Sequence, residues 1–269
     1  MEITQITGYI LAIIVGISLG LIGSGGSILT VPILVYIMGV NPIIATAYSL
    51  FIVGSTALVG GVQNAILKKV DFKTVIIFGI PSIVAVYLTR AHIVPIIPDV
   101  IAQIGDFQFT KSIALMLLFA VVMIMASISM IKPSKSVVEV ENQELKYNYP
   151  LILLEGTLVG VLTGLVGAGG GFLIIPALVL LAKMPMKLAV GTSLFIIAAK
   201  SLLGFIGDVQ TTPNLDWFLL LIFTGFSIIG IFIGIALSKK IDGSKLKTSF
   251  GWFVLIMGIY IIIKETILK

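Results

Sequence analysis

The chain has no cysteine and only one histidine among its 269 residues. Without cysteine there are no disulfides and no thiolate ligands for a metal ion. A single histidine makes most hydrolase mechanisms unworkable. The sequence also has no phosphate-binding loop, no HExxH-like zinc pattern and no Ser/His/Asp set. We therefore expect a protein that is not an enzyme and that has no cofactor and no metal site.

Charged residues are scarce as well. They make up 11% of the chain, whereas 58% of the residues are hydrophobic, and the mean hydropathy is +1.20. Soluble domains are about 25% charged. This composition predicts an all-α polytopic membrane protein. The net charge of +5 then reports the topology in the membrane and is not a signal for nucleic-acid binding.

Eight apolar segments run along the chain. A membrane-spanning helix needs about 20 residues, and six of the segments fit one span each. Two are too long for one plain span, and both are interrupted by glycines in the middle. In order, the segments are 8–38, 42–61, 73–90, 110–131, 150–182, 187–206, 216–238 and 248–263.

The two overlong segments contain the same glycine-rich motif. The sequence of Gly20–Pro32 returns as Gly164–Pro176, shifted by 144 residues. Glycine and proline interrupt a helix, and lipid cannot satisfy the backbone groups that are freed. Such a break must be buried in protein or line a cavity. Matching interruptions in two halves of a membrane protein indicate a transporter binding site.

The repeat continues beyond the glycines. Ala45-x3-Ser49-Leu-Phe returns as Ala189-x3-Ser193-Leu-Phe at the same shift. Each half then contains one broken segment and three spans, which is typical of an internal duplication. A polar stretch separates the halves. We therefore expect a first transmembrane repeat over 1–131, a linker over 132–149 and a second transmembrane repeat over 150–269.

The placement of basic residues favours one topology. If every segment crossed the membrane once, each side would carry eight basic residues, against the positive-inside rule. If each broken segment is a re-entrant hairpin with arms of about 15 residues, the sides carry twelve and four, and Lys200 lies inside the membrane. Each half then crosses three times, so the two repeats are inverted, the hairpin tips meet near the midplane and the linker is cytoplasmic. Eight simple spans with parallel halves is the rival arrangement.

The hairpin tips predict an anion-binding site. Glycine-rich backbone exposes N–H groups, and a helix N-terminus attracts negative charge. Serines nearby add hydroxyl donors. The alternative is that the glycines only permit close helix packing. The candidate substrate-binding residues are Gly23, Ser24, Gly25, Gly26, Ser27, Ser49, Gly167, Gly169, Gly170, Gly171, Ser193 and Lys200.

Lys200 is the most informative of these candidates. A lysine in the middle of a span is costly and is a functional-site candidate by default. It could neutralise an anion, or exchange a proton and so couple transport to H⁺. The alternatives are a snorkelling side chain or a structural pair with Asp208 two turns later. Asp208 and Glu155 are further proton-coupling candidates. Arg90 and His92 end a span and are interpreted as an interfacial anchor and a satisfied histidine.

The two Gly-x-Gly-Gly-x5-Pro motifs, each followed by Ala-x3-Ser-Leu-Phe, resemble the TauE/SafE family of sulfite and organosulfonate exporters. The resemblance covers essentially the whole chain. It implies a secondary transporter without an ATP site that moves small sulfur-containing anions across the prokaryotic plasma membrane. The motif residues to which it carries over are Gly23, Gly25, Gly26, Pro32, Gly167, Gly169, Gly170 and Pro176.

We therefore expect an anion exporter, coupled to protons or ions, with alternating access around the two hairpin tips. An anion channel and a transporter of a non-sulfur organic anion are the alternatives. An integral-membrane enzyme would need a reactive constellation that the sequence lacks. The expected partners are a small inorganic or organic anion and the lipid bilayer. No nucleic acid is expected, and a homodimer stays open.

Overall fold

The chain is almost entirely helical. The computed structural model describes residues 3–23, 26–104, 107–132, 149–180, 184–211, 215–238 and 243–267. Within them, six helices are long and apolar enough to cross a membrane: Thr4–Ile22, Pro42–Ile66, Phe72–Ile96, Lys111–Ile131, Lys187–Gln210 and Trp217–Leu237. The predicted all-α polytopic membrane protein is thereby confirmed. The linker residues 133–148 and the candidates Ser24 and Gly25 lie outside the described residues.

The elements of the two halves follow the predicted segments. In the first half they are α1 Ile3–Ile22, α2 Ser27–Pro32 with a π-helical turn Ile33–Ile37, α3 Pro42–Ile66, α4 Phe72–Leu88 with a π-helical turn Thr89–Ile93, α5 Val94–Ile96, β1 Val100–Ile104, β2 Phe107–Thr110 and α6 Lys111–Ile131. In the second half they are α7 Tyr149–Val166, α8 Gly171–Leu180, α9 Met186–Thr211, α10 Trp217–Leu237 and α11 Gly243–Thr266. The antiparallel pair β1–β2 was not predicted, because four or five alternating residues cannot be told from a loop.

Polar side chains fix where three of the spanning helices begin. Asn41 caps α3 by accepting a hydrogen bond from the backbone N–H of Ile43 at 2.9 Å. Asp71 caps α4, and Asp216 caps α10 by accepting from Leu219 N at 3.0 Å. Each cap satisfies a donor that the helix itself leaves free, which is obligatory near lipid.

The first broken segment folds back on itself. A Cβ added to Gly26, where α2 starts, would lie 2.8 Å from Leu19 N near the end of α1. A Cβ added to Gly8, near the start of α1, would lie 2.6 Å from Met38 Sδ. The segment is therefore a helical hairpin. Its arms are unequal, because α1 is about 30 Å long and Ser27–Ile37 about 16 Å at 1.5 Å per residue. The expectation of two arms of about 15 residues was wrong, because α1 already begins at Ile3, five residues before the predicted segment 8–38.

The matching helices α3 and α9 pack against each other in antiparallel orientation. A Cβ on Gly54 would lie 2.9 Å from Leu202 Cγ, and one on Gly61 would lie 3.1 Å from Phe195 Cδ2. Residue numbers therefore rise along α3 as they fall along α9. These two helices form the centre of the molecule, and both are largely buried.

Each broken segment packs on a helix of the other half. Ser227 Oγ on α10 donates a hydrogen bond to Ala12 O on α1 at 3.1 Å. Ser82 Oγ on α4 donates to Gly156 O on α7 at 2.7 Å. Ala12 matches Gly156 at a shift of 144, and Ser82 matches Ser227 at a shift of 145. The contacts are thus reciprocal, and the two halves interlock.

Small residues make these contacts close. Gly16 and Gly20 on α1 face Gly230 and Gly234 on α10, and a Cβ on Gly234 would lie 3.0 Å from Gly20 Cα. Two glycine pairs at a spacing of four let helix backbones approach closely in a membrane. The two helices run parallel, because Gly16 contacts the α10 residues that precede those contacted by Gly20.

Candidate functional site

Lys200 lies midway along α9, and its side chain is fully buried. Its Nζ donates a hydrogen bond to Thr163 Oγ1 on α7 at 2.9 Å. Among the residues that the structure describes, no carboxylate lies within 4.0 Å of this nitrogen. A buried ammonium group is expensive unless it is paired with an opposite charge. The amino group of Lys200 is therefore buried in the centre of the protein, with an uncharged hydroxyl as its partner.

The second glycine break wraps around the end of this lysine. Gly167, Gly169 and Gly170 have φ values of +73°, +64° and +61°, a region that only glycine enters freely. A Cβ on Gly170 would lie 2.7 Å from Lys200 Nζ. The glycines are thus required both for the shape of the turn and for the close approach of the ammonium group to the backbone. Gly171 begins α8 directly afterwards.

The first break meets the second. Gly23 has a φ of +76°, and its carbonyl accepts a hydrogen bond from Ser193 Oγ of α9 at 3.5 Å. Ser27 is buried, and a Cβ on Gly169 would lie 3.3 Å from Ser27 Cβ. The structure therefore brings residues of both breaks together beside α9.

Three buried hydroxyl groups lie on α2, α3 and α9. Ser49 and Thr30 are fully buried, and so is Ser201, which follows Lys200. The Oγ atom of each has no hydrogen-bond partner in the described part of the chain. Buried polar groups normally have a partner. These donors are therefore available to a ligand or to water.

Asp208 has a different partner from the one considered in the sequence. Its Oδ1 lies 3.3 Å from Nη1 of Arg90, and Lys200 is eight residues away on α9, about 12 Å at 1.5 Å per residue. Arg90 Nη1 also donates to Thr46 Oγ1 at 3.0 Å. The side chain of Arg90 is 1% exposed. Arg90 was interpreted as an interfacial anchor, but the structure buries it in the ion pair with Asp208 within the candidate span Phe72–Ile96.

Glu155 lies outside this region. It is partly exposed near the start of α7, eight residues before Thr163 and therefore about 12 Å from it along the helix. The structure does not bring Glu155, Lys200 and Asp208 into one cluster. Their proposed part in proton coupling stays a prediction.

Comparisons with known proteins give the site its context. The family model described as "Sulfite exporter TauE/SafE" matches residues 9–261. The chain belongs to the TauE/SafE family. This confirms the family that the glycine motifs predicted.

Relatives of this TauE/SafE chain cover nearly its whole length. A "Probable membrane transporter protein" of Xylella fastidiosa (strain 9a5c) is 30% identical over 253 residues, 93% of this chain and 91% of that protein. The "Probable membrane transporter protein MJ0441" of Methanocaldococcus jannaschii is 30% identical over 270 residues, 94% and 95% of the two chains. YunE of Bacillus subtilis, with the same description, is 28% identical over 251 residues, 87% and 88%. No solved structure matches significantly. The chain is a multi-pass membrane transporter.

Two residues near the candidate site of this TauE/SafE chain, Thr163 and Arg90, were not identified as candidates in the sequence. Thr163 stands one turn before the break at Gly167, so helical spacing could have placed it on the side of the break. Arg90 was placed at the membrane surface because the span was ended at residue 90. The candidate span extends to Ile96, and a charge within a span is itself a signal for function.

Proposed function

We propose that this TauE/SafE transporter is a secondary exporter of small sulfur-containing oxyanions, such as sulfite or organosulfonates, across the prokaryotic plasma membrane. The observation that carries the proposal is the buried Lys200 with its neutral partner Thr163. An oxyanion beside Nζ would supply the missing counter-charge through a charge-assisted hydrogen bond. The family description supports the substrate class and the direction of transport.

The surroundings of Lys200 suit a small oxyanion. Because Gly170 has no side chain, it does not cover the ammonium group of Lys200. Ser193, Ser27 and Ser49 add hydroxyl groups from two further segments. Lys200 Nζ and the Thr163 hydroxyl are the two groups that the structure brings together, and such donors match the oxygens of a sulfite or sulfonate group. The breaks thus act as a cradle, and the lysine selects for negative charge.

We further propose that the halves are inverted repeats that alternate access by moving against each other. The antiparallel packing of α3 on α9 supports this, because matching helices run in opposite directions only if one half is inverted. The reciprocal contacts of α1 with α10 and of α7 with α4 support a two-fold axis in the membrane plane. The basic residues Lys68, Lys69 and Lys187 then lie with the linker 132–149 on the cytoplasmic side.

The transport cycle depends on whether Lys200 has a counter-ion. When the anion is bound, the ammonium group is paired and can stay buried while the halves move. When the anion has left, the lone charge resists burial, so the empty carrier returns more readily after Lys200 has released its proton to water. Anion export is in this way coupled to proton movement. Asp208 on α9 and Glu155 on α7 are carboxylates that can also take part in this proton movement.

Exchange of labelled sulfite in proteoliposomes tests the proposal. The purified full chain is reconstituted, loaded with unlabelled sulfite and assayed for uptake of labelled sulfite. Lys200→Met keeps the length of the side chain but removes its charge, and we expect it to abolish exchange. Thr163→Val, which is nearly isosteric, should reduce exchange by about tenfold, equivalent to about 1.4 kcal/mol at the lost hydrogen bond. Lys187→Gln, an exposed lysine at the start of α9, is the matched control and should exchange normally.

Three results would contradict this assignment. Normal exchange by Lys200→Met would remove the lysine from the site. Currents far above the turnover of a carrier would identify a channel. Exchange of carboxylates but not of sulfite or methanesulfonate would change the substrate class. Size-exclusion elution and thermal unfolding in detergent separate a loss of function from a loss of folding.

A further inference from the structure

Arg90 uses only one of its nitrogens in the contacts described above. The residue lies in the π-helical turn Thr89–Ile93 at the end of α4. Nη1 donates to both Thr46 Oγ1 and Asp208 Oδ1. Nε and Nη2 are buried and have no hydrogen-bond partner among the described residues. A buried guanidinium group therefore keeps one side unused.

The unused side has a specific geometry. Nε–H and the adjacent Nη2–H point in the same direction and form the edge of the guanidinium group that binds two oxygens of one anion. Carboxylate, sulfonate and sulfite groups each offer such a pair of oxygens. A buried donor pair without a partner is unfavourable, and the contact with Asp208 does not explain it.

Arg90 is connected to the second glycine break. Thr46, which accepts from its Nη1, packs against the turn at Gly167, where an added Cβ would lie 2.6 Å from Thr46 Cα. Asp208 is on the same helix as Lys200, about 12 Å farther along α9 at 1.5 Å per residue. Arg90 therefore lies beside the elements that form the central site, toward the end of the molecule where α3 begins.

The other half does not repeat this arrangement. The three residues of the cluster have matching positions at the shift of 144 or 145, and none of those is charged. Arg90, Thr46 and Asp208 correspond to Ile235, Val190 and Asn64. The charged pair Arg90–Asp208 therefore has no charged counterpart at the matching positions of the other half. A purely architectural ion pair gives no reason for its free donor edge.

We infer that Arg90 is a second anion-binding residue, which holds a small oxyanion on its Nε/Nη2 edge between Lys200 and the outer face. The chemical class of the ligand rests on the proposed function. Thr46 and Asp208 are positioning residues that hold the guanidinium group through Nη1. The carboxylate of Asp208 also weakens the hold on the anion through repulsion. The subsite thus binds the anion briefly and releases it.

Anion binding to the full chain in detergent tests this inference separately from transport. Isothermal titration calorimetry with sulfite and with methanesulfonate is carried out on variants of the cluster. Asp208→Asn removes the repulsion and should tighten binding at this subsite about threefold or more. Arg90→Gln combined with Asp208→Asn removes both charges together and should eliminate the subsite. Lys73→Gln, which removes one exposed positive charge from α4, is the matched control and should bind as the wild type does.

A structural ion pair gives different results. In that case Asp208→Asn would not tighten binding, and the exchanged pair Arg90→Asp with Asp208→Arg would bind anions as the wild type does. Either result overturns the inference. If the double neutral variant does not fold, Arg90→Lys keeps the pair but loses the donor edge, and unchanged affinity in that variant is equally decisive.

The inference and the proposed function fail in distinguishable ways. Anion binding that depends on Arg90, without sulfite exchange by the wild type, contradicts the exporter and leaves the subsite standing. Exchange that depends on Lys200, with unchanged anion binding after the loss of Arg90, contradicts the subsite and leaves the exporter standing. In the Lys200→Met variant, binding at Arg90 should persist with one anion per chain.

Discussion

Gly169→Ala tests whether the glycine break is a conformational requirement. The φ of Gly169 is +64°, where an L-residue costs roughly 1–2 kcal/mol. The added methyl group would lie 2.6 Å from Val53 Cγ1 and 3.3 Å from Ser27 Cβ. Carbon atoms prefer separations of about 3.5–4.0 Å, so one neighbour must move by about 1 Å. Overpacking of this kind costs about 1–3 kcal/mol. We therefore expect a destabilisation of about 2–5 kcal/mol.

Gly225→Ala is the matched control. Gly225 lies inside α10, and no heavy atom outside its own helix lies within 4 Å of the position of an added Cβ. Alanine in a helix interior is favoured over glycine by about 0.5–1 kcal/mol. The same chemical change should therefore stabilise the protein at Gly225 and destabilise it at Gly169. The difference between the two variants is about 2.5–6 kcal/mol.

Equilibrium unfolding in detergent micelles measures this difference. The chain has two tryptophans, Trp217 and Trp252, whose fluorescence follows the transition. Sulfite exchange is measured in parallel, and we expect Gly169→Ala to lose it while Gly225→Ala retains it. The reasoning is refuted if the two variants unfold with the same free energy. It is also refuted if Gly169→Ala is destabilised as expected and still exchanges sulfite at the normal rate, because the break would then be structural only.

Two further predictions concern the architecture. Ser82→Ala and Ser227→Ala should each lower the free energy of unfolding by about 0.6 kcal/mol, the mean for hydrogen bonds between membrane helices. If the two losses differ by more than about 1 kcal/mol, the reciprocal packing is contradicted. Single cysteines at Gln5 and Asn41 should react with an impermeant thiol reagent from the same side of the membrane, and one at Lys68 from the opposite side. Labelling of Gln5 and Asn41 from opposite sides would exclude the hairpin, and the cysteine-free chain is the control for background reaction.

The spans and the duplication could be predicted from the sequence because both are local patterns. Hydropathy over about 20 residues marks a span, and the repeated Gly-x-Gly-Gly-x5-Pro motif marks the breaks. The unequal arms of the first hairpin could not be predicted in this way. Hydropathy is continuous from α1 through Ser27–Ile37 and does not report where the chain turns. Gly23 is at the midpoint of the predicted segment 8–38, and the arms are unequal because α1 begins before that segment, at Ile3.

The partners of the central charges depend on contacts that are distant in sequence. Lys200 pairs with Thr163, and Asp208 pairs with Arg90. Spacing along α9 alone suggested that Lys200 and Asp208 pair with each other. The tertiary packing decides otherwise, because it brings Thr163 of α7 to Lys200 and Arg90, which follows α4, to Asp208. A pattern within one helix cannot report which helices will pack against it.

The position of Lys200 also explains why only one half carries a lysine. Because Gly54 lies by Leu202 and Gly61 by Phe195 in the antiparallel pair, the matching positions Thr56 and Lys200 lie at the same level of α3 and α9. In the proposed inverted architecture that level is where the two-fold axis crosses. A residue at the axis is equally close to both faces, so one lysine would serve both open states of the proposed cycle.

A residue away from the axis serves one face only. Arg90 and Asp208 stand toward the end where α3 begins, and their matching positions Ile235 and Asn64 carry no charge. The two openings of the path are therefore chemically different although the helices that form them are related. A symmetric carrier with one central charge has no preferred direction of its own. In the proposed subsite, Arg90 would give the anion a further binding step on the outer side alone.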